Sequence, residues 1–200
     1  EGAALGEARA GAGAALDWEE AGALEGLLSK KLELELFSKK LEKKLELELL
    51  SKGLLLEKLE RPEEALTAFD TTLDDLTYRT PSKALNSKGF TLYTMGRFDE
   101  AIAVLSDAIR RVPKLCQARF HRGLTYQATA QHQEALDDFE GVIQVCGDEA
   151  TGAYYHAAQA LFSLSDQASG CTYLRTALRD AKTDEFAGKI RELSLAECGA

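Results

Sequence analysis

The sequence contains few prolines, which interrupt helices, and few cysteines, which can form disulfides. Its 200 residues include 3 prolines and 4 cysteines, with 1 tryptophan and 1 methionine. So little proline excludes a collagen-like or proline-rich chain. No run approaches the ~18 uninterrupted apolar residues of a membrane-spanning helix, so we expect no membrane insertion. Hydrophobic residues still make up 45% of the chain, which is enough to form a core.

Positive charge is also in short supply. The chain has 24 Lys and Arg against 33 Asp and Glu, for a formal net charge of −9. A nucleic-acid binder needs clustered positive charge to meet the phosphates. The arginines here are scattered among acids, so we expect no nucleic-acid partner.

The four cysteines lack the spacing of a metal or redox motif. Cys116, Cys146, Cys171 and Cys198 lie 30, 25 and 27 residues apart, and none forms a C-x-x-C pair. Four cysteines could form two disulfides in a secreted protein, but a helical chain of this length can build a core without them. We therefore expect free, mostly buried thiols, and a cytoplasmic or other reducing intracellular compartment.

No group of residues has the composition of a catalytic or metal centre. Cys116 precedes His121 by five residues, and His121 and His156 occupy equivalent places in a repeat described below. A metal would need at least one more ligand converging on them. Asp137 and Asp138 are typical of a solvated helix face. The sequence therefore predicts no enzyme, no cofactor and no metal site.

The first sixty residues differ from the rest of the chain. They use only ten residue types, and the heptamer Lys-Lys-Leu-Glu-Leu-Glu-Leu occurs at 30–36 and again at 43–49. The bias fits either a natural low-complexity segment or a designed leader, so motifs before residue 60 carry no argument. Ala, Leu, Glu and Lys favour helix. We interpret residues 1–45 as a helical, low-complexity leader.

After this leader the chain repeats itself with a period of about 34 residues. Pairs of residues 34 apart carry the same kind of side chain: Gly89 and Gly123, Ala101 and Ala135, Leu105 and Phe139. Shifts of 36 and 35 residues extend the pattern in both directions. The repeat predicts four units at 46–81, 82–115, 116–150 and 151–183, and then a capping helix or the start of a further unit at 184–200.

Each unit has the signals of two short helices. Thr80 can cap the first helix, and Pro81 suits its first position. Gly96 favours a helix end, Asp99 opens the second helix, and Pro113 ends it.

Small residues at fixed places indicate how the two helices pack. Gly89 and Ala101 would let them approach closely, while larger side chains fill the neighbouring spaces. A single pair cannot bury both of its faces, so the units should stack.

These spacings resemble the tetratricopeptide repeat family over about residues 46–181. The motifs that carry the resemblance are Leu85-x-x-Lys88-Gly89-x-x-Leu92, Ala101-x-x-x-Leu105-x-x-Ala108-x-x-x-x-Pro113, and the copy with Gly123, Tyr126, Ala135 and Phe139. The resemblance implies an all-α fold, a right-handed superhelical solenoid of antiparallel helix pairs.

The resemblance also implies a function. Members of the family are non-catalytic protein-interaction scaffolds, and a partner peptide or helix lies in a concave groove lined by the first helices. By that analogy the groove residues are Lys83, Asn86, Phe90, Tyr93, Phe120, Leu124, Gln127, Tyr155, Gln159 and Phe162. By the same analogy, the places of Gln117 and Gly152 would also face the groove. The alternative is a structural subunit of a large multiprotein assembly, with the repeats packed permanently against neighbouring chains.

One subgroup of the family binds the acidic C-terminal tail of chaperones through a clamp of lysine, arginine and asparagine. The corresponding places here carry Leu50, Leu54, Asn86, Gln117 and His121. Cations are missing where an anion must be neutralised. We therefore expect a protein partner other than the chaperone tail.

Overall fold

The computed structural model describes residues 18–75, 78–147 and 150–199. Within these ranges all regular secondary structure is helical, and no strand is present. The helices are α1 (Trp18–Lys58), α2 (Pro62–Asp74), α3 (Pro81–Thr94), α4 (Phe98–Arg111), α5 (Cys116–Ala128), α6 (His132–Cys146), α7 (Thr151–Ser163), α8 (Gln167–Arg179) and α9 (Asp184–Cys198). The chain divides into two compact units, residues 1–44 and residues 45–200.

The described part of the first unit is helical from Trp18 onward, as its Ala, Leu, Glu and Lys content predicts. Residues 1–17 of the predicted leader lie outside the described residues. The large apolar side chains placed in this unit are exposed: Leu28, Leu32, Leu34, Leu36, Phe37 and Leu41.

The second unit is a stack of helix pairs. The end of α1 packs on α2 through Gly53 and Phe69. The pairs α3–α4, α5–α6 and α7–α8 follow in chain order, each in contact with the next, and α9 packs on α8.

One turn geometry recurs between the two helices of each pair. Glu60, Gly96, Ala130 and Ser165 all have a positive φ, between 56° and 75°. The amide of the following residue donates back to a carbonyl in the last turn of the first helix: Arg61 to Leu56, Arg97 to Leu92, Gln131 to Tyr126, and Asp166 to Leu161. This arrangement ends the first helix and reverses the chain. The predicted stop at Gly96 is confirmed, and three non-glycine residues adopt the same conformation.

The two helices of a pair approach closely at a glycine. A Cβ atom on Gly89 would lie 2.5 Å from Leu105 Cγ, and one on Gly123 would lie 2.8 Å from Phe139 Cε1. Ala101 and Ala135 are completely buried, as their spacing predicts. In the α7–α8 pair the close glycine is at another register: Gly170 of α8, which is equivalent to Ala135 of α6, lies against the Phe162 ring of α7.

The predicted helix boundaries hold except for one cap. Pro81 begins α3, Asp99 lies in the first turn of α4, and α4 ends at Arg111, just before Pro113. The Thr80 side chain makes no capping hydrogen bond. Its backbone carbonyl accepts from the Lys83 amide instead, at 2.9 Å.

The prediction of free thiols is wrong. Cys116 is bonded to Cys146, with Cα atoms 6.6 Å apart, and Cys171 to Cys198, with Cα atoms 5.9 Å apart. Antiparallel pairing explains both bonds, because it places the start of one helix beside the end of the next. The expected reducing compartment rested on free thiols, so the paired cysteines remove its basis.

Among the helices that the structure describes, none combines the length and apolar character needed to cross a membrane.

Candidate functional site

The first helices of successive pairs lie side by side. Helix α5 contacts both α3 and α7, because the pairs stack in the same orientation. We call the surface formed by the predicted groove residues on α3, α5 and α7 the first-helix face. Its members are Lys83, Asn86, Phe90, Tyr93, Phe120, Leu124, Gln127, Tyr155, Gln159 and Phe162.

Most of these side chains are at least partly exposed to solvent. Lys83 is exposed, and the other members except Asn86 are partly exposed. Asn86 is 8% exposed, and its Oδ1 accepts a hydrogen bond from His121 of α5. The first-helix face therefore presents partly exposed aromatic and amide side chains. Lys83 is the one charged member of the predicted set.

A row of rings crosses this face. Phe90 of α3 contacts His121 of α5, with ring centroids 4.5 Å apart, and Phe120 contacts His156 of α7 at 5.6 Å. Tyr155 then contacts Phe186 of α9 at 5.5 Å. The sequence pattern identified the Phe and Tyr members on α3, α5 and α7 but missed the two histidines and Phe186. The two histidines occupy equivalent places in consecutive repeats, and this recurrence is the sequence signal that could have placed them in the row.

Amide side chains connect the same helices. Gln127 Nε2 donates to Gln159 Oε1 at 3.2 Å, and Gln159 Nε2 donates to the Tyr155 hydroxyl at 3.4 Å. His121 Nδ1 lies 3.0 Å from Asn86 Oδ1, and His156 Nδ1 lies 3.0 Å from Gln127 Oε1. Because an amide oxygen only accepts, each Nδ1 carries the hydrogen.

Both histidines are neutral at neutral pH. Burial lowers the pKa of His121 to about 4 and the pKa of His156 to about 4, because the charged ring would lose its hydration. The two histidines of the ring row therefore add no positive charge to the first-helix face.

A cavity of about 280 Å³ opens beside Phe120. It lies where the start of α5, the end of α6 and the start of α7 meet. Its described lining residues are Cys116, Gln117, Phe120, His121, Val142, Cys146, Ala150, Gly152 and Ala153. Gln117, Phe120 and Gly152 are predicted groove places, so the cavity is continuous with the first-helix face.

The Phe162 side chain is only partly exposed on the first-helix face. Its ring lies against Gly170 of α8, where a Cβ atom would collide with it. Phe162 therefore fills space inside its own helix pair as well as contributing to the first-helix face.

The prediction that Asp138 belongs to a solvated face is wrong. Asp138 is 3% exposed, and Arg122 donates to both of its carboxylate oxygens. Asp137 is exposed as predicted and accepts a hydrogen bond from Gln133 at 2.9 Å. One residue step turns a helix by about 100°, so Asp138 faces α5 while Asp137 faces solvent.

Within the ranges that the structure describes, no group of three or more His, Cys, Asp or Glu side chains could hold a metal ion.

Comparisons with known proteins identify the repeat. A tetratricopeptide repeat family model matches residues 50–115 and 87–145. Among curated proteins, none matches this sequence.

Solved structures share the fold. MamA (residues 41 to the end) from Desulfovibrio magneticus RS-1 is 17% identical, with a TM-score of 0.63 over 79% of this chain and 88% of that one. PilW, described as a widely conserved type IV pilus biogenesis factor, is 22% identical, with a TM-score of 0.65 over 71% of this chain and 65% of that one. A tetratricopeptide repeat protein from Parabacteroides merdae ATCC 43184 is 15% identical, with a TM-score of 0.65 over 77% and 60%.

These matches confirm the all-α solenoid of antiparallel helix pairs that the sequence predicts. Residues 50–145 therefore match tetratricopeptide repeats, and the chain shares the fold of these solved structures.

Proposed function

We propose that this protein is a non-catalytic interaction scaffold that binds a partner peptide or helix on the first-helix face. The observation that carries the proposal is the surface itself: partly exposed aromatic and amide side chains that continue across α3, α5 and α7. The tetratricopeptide fold points to the same class of protein partner, because stacked repeats present one extended surface.

The composition of the face suits a protein ligand. Phe90, Tyr93, Phe120 and Tyr155 are partly exposed rather than fully buried, so they retain area for contact. Large rings bury much surface with few rotatable bonds to freeze, which makes aromatic residues frequent binding anchors. The amides of Gln127 and Gln159 have further donors and acceptors for a partner backbone.

The charge of the face limits the choice of partner. Lys83 is its one charged predicted member, and both histidines in the ring row are neutral. An acidic tail or a phosphate backbone would meet too little positive charge here. We therefore propose a segment with apolar anchors, and neither a chaperone C-terminal tail nor a nucleic acid.

A peptide selection tests the proposal. Peptides selected from a random displayed library against the full chain would be titrated against the parent, Phe120→Ala and Tyr93→Ala. We expect each aromatic truncation to weaken binding by about 1–3 kcal/mol, because central anchors dominate interface energy.

Asp137→Ala is the matched control, since Asp137 is exposed on α6 and makes one local hydrogen bond. It should leave peptide affinity nearly unchanged, with helicity checked for every variant. An equal or larger loss in Asp137→Ala would move the binding site to the second helices and contradict the proposal.

The alternative is a structural subunit of a large assembly. It is favoured by one observation, the exposed Leu54, Leu55 and Leu59 at the end of α1 and just after it. Sedimentation of the isolated chain separates the two functions. A stable monomer that binds peptides reversibly supports the scaffold, and a chain that aggregates without a partner supports the subunit.

A further inference from the structure

We propose that the cavity beside Phe120 is an anchor pocket for a single uncharged aromatic side chain of the partner. This inference rests on the proposed function and names the chemistry of one part of that site.

The size of the cavity fits one side chain. Its volume of about 280 Å³ lies just below the range of about 300–1,000 Å³ of pockets that hold whole small-molecule ligands. The cavity shares Gln117, Phe120 and Gly152 with the predicted groove places, so a segment lying on the first-helix face could insert a side chain into it.

The lining excludes a charged occupant. None of the described residues that line the cavity carries a formal charge, because His121 is held neutral by its burial. A charged side chain entering this space would lose hydration and find no opposite charge among those residues. An uncharged side chain avoids that cost.

The same lining favours an aromatic ring over an aliphatic chain. Phe120 offers a ring for edge or offset stacking, and the Cys116–Cys146 bond offers polarisable sulfur. Gln117 at the cavity can donate to, or accept from, a phenol or an indole. The disulfide also joins the start of α5 to the end of α6, so this wall is preorganised for binding.

Gly152 provides a way to fill the pocket without disturbing the core. A Cβ atom there would lie 3.5 Å from Phe120 Cζ, which is ordinary van der Waals contact. A longer side chain at this position would extend from one lining residue towards another. Gly188 of α9 is the matched control, because a Cβ atom there meets nothing within 4 Å. Leucine suits both positions, since it is a good helix former.

The direct test uses N-acetyl-phenylalaninamide as the probe. Without reductant, the probe would be titrated into the ¹⁵N-labelled full chain, with N-acetyl-leucinamide in parallel. We expect saturable shifts at the amides of Val142, Ala150 and Ala153, and tighter binding of the aromatic probe. Gly152→Leu should weaken it by about tenfold or more and Gly188→Leu by less than about twofold, with melting temperatures confirming that both variants fold.

Three results would overturn the pocket. They are shifts confined to other helices, equal or tighter binding of the leucine probe, and unchanged affinity in a folded Gly152→Leu variant.

The selected peptides distinguish this failure from failure of the scaffold. Peptides that lose affinity in Phe120→Ala but bind Gly152→Leu normally would leave the scaffold intact and refute the pocket. Both proposals would be supported if peptides that contain an aromatic residue lose affinity for Phe120→Ala and for Gly152→Leu. Peptides without an aromatic residue should then bind Gly152→Leu normally. If no peptide binds the first-helix face, the scaffold proposal fails, whatever the probe does.

Discussion

Arg122 donates two hydrogen bonds to Asp138, at 2.7 and 2.8 Å, and so joins the two helices of the third pair. A third bond from Arg122 reaches Ser106 of α4 at 2.9 Å, which links this pair to the preceding one. The pairing raises the pKa of Arg122, because the nearby carboxylate stabilises the charged guanidinium. Asp138 is thus a buried charge that is compensated mainly by Arg122, with a longer ion pair to Arg119 Nη1 at 3.7 Å.

Asp138→Ala should destabilise the protein strongly. Removal of the carboxylate leaves the Arg122 guanidinium, whose side chain is 20% exposed, without its ion-pair partner, and an unpaired polar group of this kind costs about 1–3 kcal/mol. Urea unfolding followed by circular dichroism measures this loss. The neighbouring substitution Asp137→Ala should change the free energy of unfolding by no more than about 0.5 kcal/mol. Similar losses in the two variants would contradict the described burial of Asp138.

Ala101→Leu should overpack the second helix pair. Ala101 is completely buried in α4, and added methylene groups in a filled core cost about 1–3 kcal/mol. Ala103 lies two residues away and is exposed, so Ala103→Leu is the matched control and should be nearly neutral. The difference in melting temperature between the two variants is the measurement. Equal melting of Ala101→Leu and the parent would refute the repeat register.

Removing the Cys116–Cys146 disulfide should lower stability by about 2–4 kcal/mol, because a bond that closes a loop restricts the unfolded chain. The bonded residues are 30 apart in sequence. The double variant Cys116→Ala, Cys146→Ala would be compared with the parent in urea, with and without reductant. Reductant should destabilise the parent more than the variant, which retains only Cys171–Cys198. A parent insensitive to reductant, with its thiols free to alkylation, would contradict the described bonds.

Acid should destabilise the fold through His121 and His156. Their folded pKa of about 4 lies below the ordinary value of 6.5, so the unfolded chain binds protons more readily between these values. The contribution of each ring is therefore fully present above pH 6.5 and is lost as the pH falls towards 4, by roughly 3 kcal/mol at most.

The measurement is the pH titration of the histidine Cε1 proton resonances. In the folded protein the midpoints of His121 and His156 should lie well below those of the same residues in concentrated urea. Folded midpoints near 6.5 would show that the two rings are solvated, and would refute their burial in the ring row.

The helix pairs could be predicted from the sequence because their determinants are local. The recurrence of Gly89 and Gly123, and of Ala101 and Ala135, specifies where two helices cross. Pro81 and Gly96 specify where a helix begins and ends. These signals act within one repeat and need no knowledge of the neighbouring repeats.

Features that depend on how elements meet were harder to predict. Both disulfides join residues that are nearly one repeat apart in sequence. This separation predicts a disulfide only when the pairing of the helices is known. The burial of Asp138 depends on which side of α6 meets α5. The contact of Phe186 with Tyr155 depends on where α9 packs. Ala130 and Ser165 adopt a positive φ that their residue types do not predict. The chain reversal between two packed helices imposes this conformation.

The close glycine contact lies at different registers in the last two pairs, so these repeats are not interchangeable modules. In α5–α6 the glycine is on the first helix, and in α7–α8 it is on the second. A chimera joining α7 to α6 would bring Ala158 against Phe139 and Phe162 against Ala135, and both contacts would be overfilled. The reciprocal chimera of α5 with α8 would place Gln127 instead of the Phe162 ring beside Gly170, and Gly123 against the smaller Leu174. Recombination or duplication of this chain at its turns would therefore have to move each helix together with its own partner.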